Sequence, residues 1–537
     1  MKLTVQDLSN KQAWESANIT IPTFDWNAMA ANTKERPTWV HFGAGNIFRG
    51  FIAALHHKLL EDKLVDSGII AVDTFDYELI EKIYTPHDSM TLNVALKADG
   101  TMEKTIFASI AQGLRGSRQF PEDMATLENC FEQDSLQMVS FTVTEKGYSL
   151  QDIEGNFYPF VLADFDGGVD NCSHVMSLVT ALLYKRFQKG GTPIALVSMD
   201  NCSHNGEKLR QSVLTVGKEW QKRGFVTPEF IAWIEDESKV SFPWSMIDKI
   251  TPRPAQVVED TLKADGVEGM SPIITNKNTF IAPFVNAEVA QYLVVEDRFP
   301  NGRPPLEKAG VYLTTRQTVN DTETMKVTTC LNPLHTALAV YGCLLGYESI
   351  ADEMKNAQLK SLVEGIGYTE GLPVVIDPKI LSPKSFIDEV IGERLPNPFI
   401  PDTPQRIATD TSQKVAIRFG ETIKSYQKAP NRDPKTLKFI PLAIAGWLRY
   451  LLAVDDKGNA MECSSDPMLE KLQSQLSGIS LGDTSDFTEK LRPILSNSIL
   501  FGIDLVEIGL APTITSLFSE LVAGVGAVQT TLEKYTK

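Results

Sequence analysis

At 537 residues, 43% hydrophobic and 22% charged, the chain has material for roughly two to four domains with ordinary cores. Its net charge of -17 argues against nucleic acid or an anionic membrane as partner, since both demand a basic face. Six cysteines are too few for a disulfide framework, and the start of the chain lacks the basic and apolar runs of a signal peptide, so a cytoplasmic protein is expected.

Residues 1–36 read as an irregular N-terminal extension. Trp39, Val40, His41 and Phe42 then form a short apolar run that ends in Gly43-Ala44-Gly45-Asn46. A helical pattern over 47–60 and a second apolar run over 68–72, closed by Asp73, complete the grammar of a strand, a glycine turn, a helix and a parallel strand. Further strands are expected over 137–144 and 193–199, with a helix over 175–187 between them. This alternation makes 37–300 a doubly wound α/β domain. The breaker-rich stretch 297–305 is a linker or an exposed loop. Beyond it, from 301 to 537, helical periodicity dominates, over 323–345, 348–364, 383–394, 413–428, 440–454 and 514–535. The most apolar of these stretches are interrupted by Pro441, Arg449 or His335 and read as buried core helices, not membrane spans.

Gly43 and Gly45 stand where a dinucleotide fold needs glycine. The first permits the tight turn, and the second lets backbone approach a pyrophosphate at a helix N-terminus. The third glycine of the usual fingerprint is missing, with Phe48 in its place and Gly50 two further on. Asp73 is placed to accept hydrogen bonds from a ribose and to repel a 2′-phosphate, which favours NAD over NADP; a turn or cap aspartate is the equal alternative. Asp76 is the better candidate for the cap. The string D-N-C-S-H occurs at 170–174 and again at 200–204, but C-x-H is not a usual zinc spacing, and no metal site is expected.

From Met325 the chain reads M-K-V-T-T-C-L-N-P-L-H. On a helix Asn332 and His335 share a face, with Lys326 about two turns N-terminal and near the same stripe. Between them lie Val327, Leu331, Leu334 and Leu338, so the polar groups emerge from an apolar surface. Lysines desolvated in this way serve as general bases, and amide and imidazole N–H groups can stabilise an alkoxide. An internal polar network holding helices together is the alternative.

These strings resemble the polyol-specific long-chain dehydrogenases, the mannitol dehydrogenase family. The carriers are G-A-G-N-I-F-R-G at 43–50, T-E-K-G-Y at 144–148, S-M-D-N at 198–201, F-P-W-S-M-I-D-K-I-T-P at 242–252, the lysine string at 325–335 and R-I-A-T-D-T-S-Q-K at 406–414. The resemblance runs from about Trp39 to the C-terminal helices. It implies a metal-independent, NAD-linked oxidoreductase with a Rossmann-type N-terminal domain and a helical C-terminal domain, its site between them. Lys326 would be the general base, Asn201 and Asn332 the pair that polarises the reacting oxygen, and His335 a partner of a substrate hydroxyl. Asp248 would support substrate, Arg406 and Lys414 would orient it, and Glu323 would lie on the proton route. Asn46, Phe48 and Arg49 join Gly43, Gly45 and Asp73 in the cofactor motif.

The resemblance also implies a lysine-to-asparagine spacing one residue shorter than Lys326–Asn332. Either a π-bulge absorbs the extra residue or the base lies elsewhere. The Asn332-Pro333 pair is similar to the fructuronate reductase branch, which implies interconversion of D-mannonate and D-fructuronate by a monomer or weak homo-oligomer. Tagaturonate reductase and a mannitol- or arabinitol-type polyol 2-dehydrogenase are the alternatives within the family. A phosphate-sugar dehydrogenase, or a non-catalytic nucleotide-binding protein that kept the fold, are the rivals outside it.

Overall fold

The computed structural model describes residues 1–537 and divides into two compact units. The first comprises Met1–Leu96 and Thr101–Asn320; the second comprises Asp321–Lys537 with the hairpin tip Lys97–Gly100. No helix is long and apolar enough to cross a membrane.

The first unit is built on a six-stranded sheet of β1 (Trp39–Phe42), β2 (Ile69–Asp73), β3 (Ile110–Arg115), β4 (Met138–Phe141), β5 (Ile194–Ser198) and β6 (Val240–Ser241). All neighbours pair in parallel in the order β3-β2-β1-β4-β5-β6, the Rossmann order, which reverses direction between β1 and β4. Both faces are covered, so the strands are apolar throughout. Val40, Phe42, Val139 and Phe141 pack on one side against Leu178 and Leu182 of a helix spanning Val175–Gln188. Trp39, Ala71, Met138 and Val197 pack on the other against Phe48, Phe51 and Leu55.

The N-terminal extension is not irregular. Asp25 accepts a hydrogen bond from Ala28 N at 3.1 Å and caps a helix over Trp26–Glu35. Ile19–Thr20 pairs with Met102–Phe107 at the edge of a second sheet, and Leu3 and Trp14 are fully buried. The stretch 297–305 is a loop of this unit, pinned by Asn301 Nδ2 donating to Asp134 O and Leu136 O at 2.9 Å. After it Tyr312–Thr314 joins Tyr292–Glu296 in parallel.

The second unit is helical, with finer punctuation than periodicity suggests. The expected helix over 323–345 is α1 (Arg316–Met325), a π-turn over Lys326–Cys330, and α2 (Asn332–Leu345), broken at Leu331. The pattern over 348–364 is two helices, because Asn356 accepts from Gln358 N and Leu359 N and starts a new one. The last is likewise two, Ala511–Leu521 and Ala527–Tyr535, separated by Gly524 and Gly526 at positive φ.

One buried group in this unit has a measurable consequence. Glu353 is fully buried, neither of its carboxyl oxygens has a hydrogen-bond partner, and Gly342 of α2 leaves the room it occupies. Burial holds its pKa well above the usual carboxyl range. A raised acid pKa in the folded state means that stability is complete below the ordinary glutamate range. It falls as pH climbs from that range towards the folded value, because the unfolded chain ionises first. Glu353→Gln is therefore expected to flatten the decline of melting temperature above pH 5 and to raise it by several degrees at pH 8. Parallel pH profiles for the two proteins would show that Glu353 is not the group responsible.

Candidate active site

In the first unit, the carboxyl ends of β1 and β4 part at the reversal of strand order, where open α/β sheets bind ligands. A cavity of about 660 Å³ lies there, lined among others by Gly43, Gly45, Asp73, Thr142, Lys146 and His174. Gly43 has φ +104°, and a Cβ on it would stand 2.2 Å from the carbonyl oxygen of Thr142. Only glycine allows β1 and β4 to run this close. Gly45 is the converse, since a Cβ there would meet nothing within 4 Å, leaving a bare backbone cradle at the start of a helix. That arrangement fits a diphosphate.

Asp73 is buried at the end of β2 and organises this turn. Its Oδ2 accepts from Ala44 N at 3.1 Å, and its Oδ1 accepts from Phe75 N at 2.9 Å and Asp76 N at 2.7 Å. Burial raises its pKa against these bonds, which lower it. Asp76 is not the helix cap that its position suggests: its carboxylate accepts from Thr275 Oγ1 at 2.6 Å and makes no cap bond. Phe48 and Arg49 lie outside the cavity. Phe48 is fully buried and stacked on His41 at 3.9 Å, and Arg49 donates to Ala282 O at 2.9 Å and Pro283 O at 2.7 Å. Asn46 Oδ1 accepts from Arg49 Nη1 at 3.3 Å.

Beyond β5, Asp200 receives Val143 N at 2.9 Å, Thr144 N at 3.0 Å and the Tyr148 hydroxyl at 2.5 Å. It thereby binds the short T-E-K-G-Y helix, Thr144–Tyr148, to the strand end that precedes Asn201, a role that sequence reasoning missed. The strings T-E-K-G-Y and S-M-D-N were both visible, but not their contact. The first D-N-C-S-H string is used differently: Asp164 accepts from Ser173 N and His174 N at 2.8 Å, and His174 Nδ1 caps the following helix. Asp248 is buried at the end of a strand over Ser245–Asp248.

In the second unit, Lys326 is 3% exposed and opens the π-turn, its carbonyl accepting from Leu331 N at 3.1 Å across five residues. A π-turn, the feature expected where a helix carries one residue more than its register needs, thus lies between Lys326 and Asn332. Glu323 sits three residues earlier in α1. Pro333, lacking an N–H, suits the first turn of α2, which begins at Asn332 and carries His335. His335 Nε2 is buried 3.4 Å from Asp402 Oδ2, without the alignment of a hydrogen bond. Burial lowers the His335 pKa to about 4. Asp402 opposes that shift and the charges of Arg418, Arg406 and Arg394 reinforce it, so the ring is neutral at neutral pH. Arg406, largely exposed, pairs with the other oxygen of Asp402. Lys414 Nζ is held by Thr409 O, and its pKa is lowered by burial and by the nearby charges of Arg418 and Arg406. His335, Arg406 and Lys414 are thus brought into one electrostatic cluster, with Asp402 and Arg418 as members that the sequence did not single out.

Residues 37–308 match the family model described as the mannitol dehydrogenase Rossmann domain, and 318–515 match the mannitol dehydrogenase C-terminal domain. The chain is 52% identical to a D-mannonate oxidoreductase of Thermotoga maritima over 99% of both chains. A solved D-sorbitol dehydrogenase in substrate-free form is similar at a TM-score of 0.78 and 26% identity, covering 95% of this chain and 97% of that one. The mannitol 2-dehydrogenase of Pseudomonas fluorescens, solved in a ternary complex with NAD and D-mannitol, shares the fold at a TM-score of 0.68 and 23% identity, covering 99% of each. With a Rossmann sheet, a glycine cradle at its reversal point and a helical unit that carries the lysine string, the chain belongs to the mannitol dehydrogenase family of oxidoreductases.

Proposed function

We propose that the protein interconverts D-mannonate and D-fructuronate with NAD(H). The observation that carries this reading is the end-to-end similarity to a D-mannonate oxidoreductase, far above that to the polyol enzymes. Gly43 and Gly45 would hold the diphosphate of the cofactor, and Asp73, whose Oδ2 carries a single backbone bond, would receive a ribose hydroxyl. NAD, when bound, supplies the acceptor for the hydride of the carbinol carbon.

The rest is the work of side chains. Lys326 takes the proton of the reacting hydroxyl, and in the reverse direction returns it to the ketone oxygen. Asn201 and Asn332 donate amide N–H groups to that oxygen as charge builds on it. The carboxamide of Asn332 makes no side-chain hydrogen bond within the protein, so its donors are available to substrate. His335, neutral by burial, bonds a substrate hydroxyl, while Asp248, Arg406 and Lys414 orient the chain and Glu323 passes the proton outward.

The reading is tested by oxidation of D-mannonate with NAD⁺ and with NADP⁺, D-mannitol serving as the neutral comparison. Faster turnover of mannonate, with NAD⁺ preferred, is the expected outcome. Preference for NADP⁺ would remove Asp73 as the selecting group, and preference for mannitol would return the enzyme to the polyol dehydrogenases.

A further inference from the structure

Arg418 can be compared directly with three arginines whose guanidinium groups are withdrawn from solvent, Arg49, Arg186 and Arg449. Arg49 donates to two backbone carbonyls and the Thr91 hydroxyl, Arg186 to five backbone carbonyls and Arg449 to three. Each of these is a satisfied structural cation. Arg418, on the π-turn Ala416–Gly420, is not. It is half-buried, its one hydrogen bond runs from Nη1 to Thr336 Oγ1, and no carboxylate lies within ion-pairing distance. Burial alone lowers its pKa, to about 10, with no anion opposing the shift. A guanidinium drawn partly out of water without a counter-charge carries a desolvation cost that one bond to a neutral hydroxyl offsets only in part.

Its position gives that cost a use. Thr336 is on α2, and its hydroxyl donates in turn to Asn332 O at 2.9 Å, so Arg418 reaches the turn of helix that holds Asn332 and His335. Its charge is felt by His335 and by Lys414. The other cations of the cluster are already engaged: Arg406 with Asp402, and Lys414 with Thr409 O. We propose that Arg418 is the specificity-determining residue of this site, a fork that receives the carboxylate of a sugar acid at the end of the chain remote from the reacting carbon. This rests on the functional reading above and extends it, since Arg406 and Lys414 already have partners within the protein. Planar, bidentate recognition of a carboxylate suits arginine, and a neutral terminal hydroxymethyl group leaves the charge unmatched.

The test is the ratio of kcat/KM for D-fructuronate to that for D-fructose, with NADH, in the wild type, Arg418→Met and Arg418→Lys. Loss of one partner of a desolvated charge pair predicts a fall of about a hundredfold or more in that ratio for Arg418→Met, carried mainly by KM for fructuronate. The lysine variant, which keeps charge but not the fork, should fall between the two, and it also reports on the site should the methionine variant not fold. A wild type that prefers fructose would overturn the functional reading and this inference with it. A wild type that prefers fructuronate, with an unchanged ratio in both variants, would overturn the inference alone and leave Arg418 as packing.

Discussion

Replacing Lys326 by alanine is expected to lower kcat for fructuronate reduction by about two to four orders of magnitude, the range for loss of a general base. NADH affinity, measured by fluorescence titration, should be unchanged, because the glycine cradle and Asp73 belong to the first unit and Lys326 to the second. Lys326 is 3% exposed at the head of a π-turn, and an α-helical turn of the same sequence would rotate it relative to Asn332. The wider turn sets the register of Lys326 against Asn332. Deleting Thr328, which would favour an ordinary helical turn, should therefore impair kcat even with Lys326 retained. A rate in Lys326→Ala near that of the wild type would move the base elsewhere, and the π-turn would then need another reason to exist.

The second large effect concerns the glycines, and it separates folding from binding. Gly43→Ala places a Cβ 2.2 Å from the Thr142 carbonyl at a φ of +104°. Strain of about 1–3 kcal/mol from the backbone conformation alone, before the collision is counted, should lower the melting temperature as well as NADH affinity. Gly45→Ala meets no protein atom within 4 Å, so its melting temperature should hold. If this turn holds the diphosphate as proposed, the added methyl group intrudes on it, and NADH affinity should drop by tenfold or more. Calorimetry and NADH titration on both variants check this together. Equal NADH affinity in Gly45→Ala and the wild type would place the diphosphate away from this turn.

Much of the first unit is legible in the sequence because its strands are buried on both faces and its turn needs glycine. Trp39 to Asp73 reads as strand, turn, helix and strand without aid. The N-terminal extension is less legible. Leu3, Trp14, Ile19 and Met29 are all buried, yet they lie on separate short elements with no shared period. Asp76 misses the cap its position suggests because its partner is Thr275, distant in sequence, while Asp73 takes the local turn bonds from Phe75 N and Asp76 N. In the second unit, periodicity finds the helices but runs across Leu331, since one non-helical residue between two apolar helices barely disturbs the pattern. Asn332 and His335 share a helix face as their spacing suggests, whereas Asp402 and Arg418 come from segments folded back onto it. A single arginine between Ile417 and Phe419 reads as a solvated side chain on an apolar turn, and only the fold shows it half-buried without a counter-charge.

The most direct measurement is the oxidation of NADH by the purified protein with D-fructuronate, D-tagaturonate and D-fructose, with the product identified. The account predicts the highest kcat/KM for fructuronate and D-mannonate recovered in proportion to the NADH consumed. Preferential reduction of fructose, or a hexonate other than mannonate as the product, would contradict it.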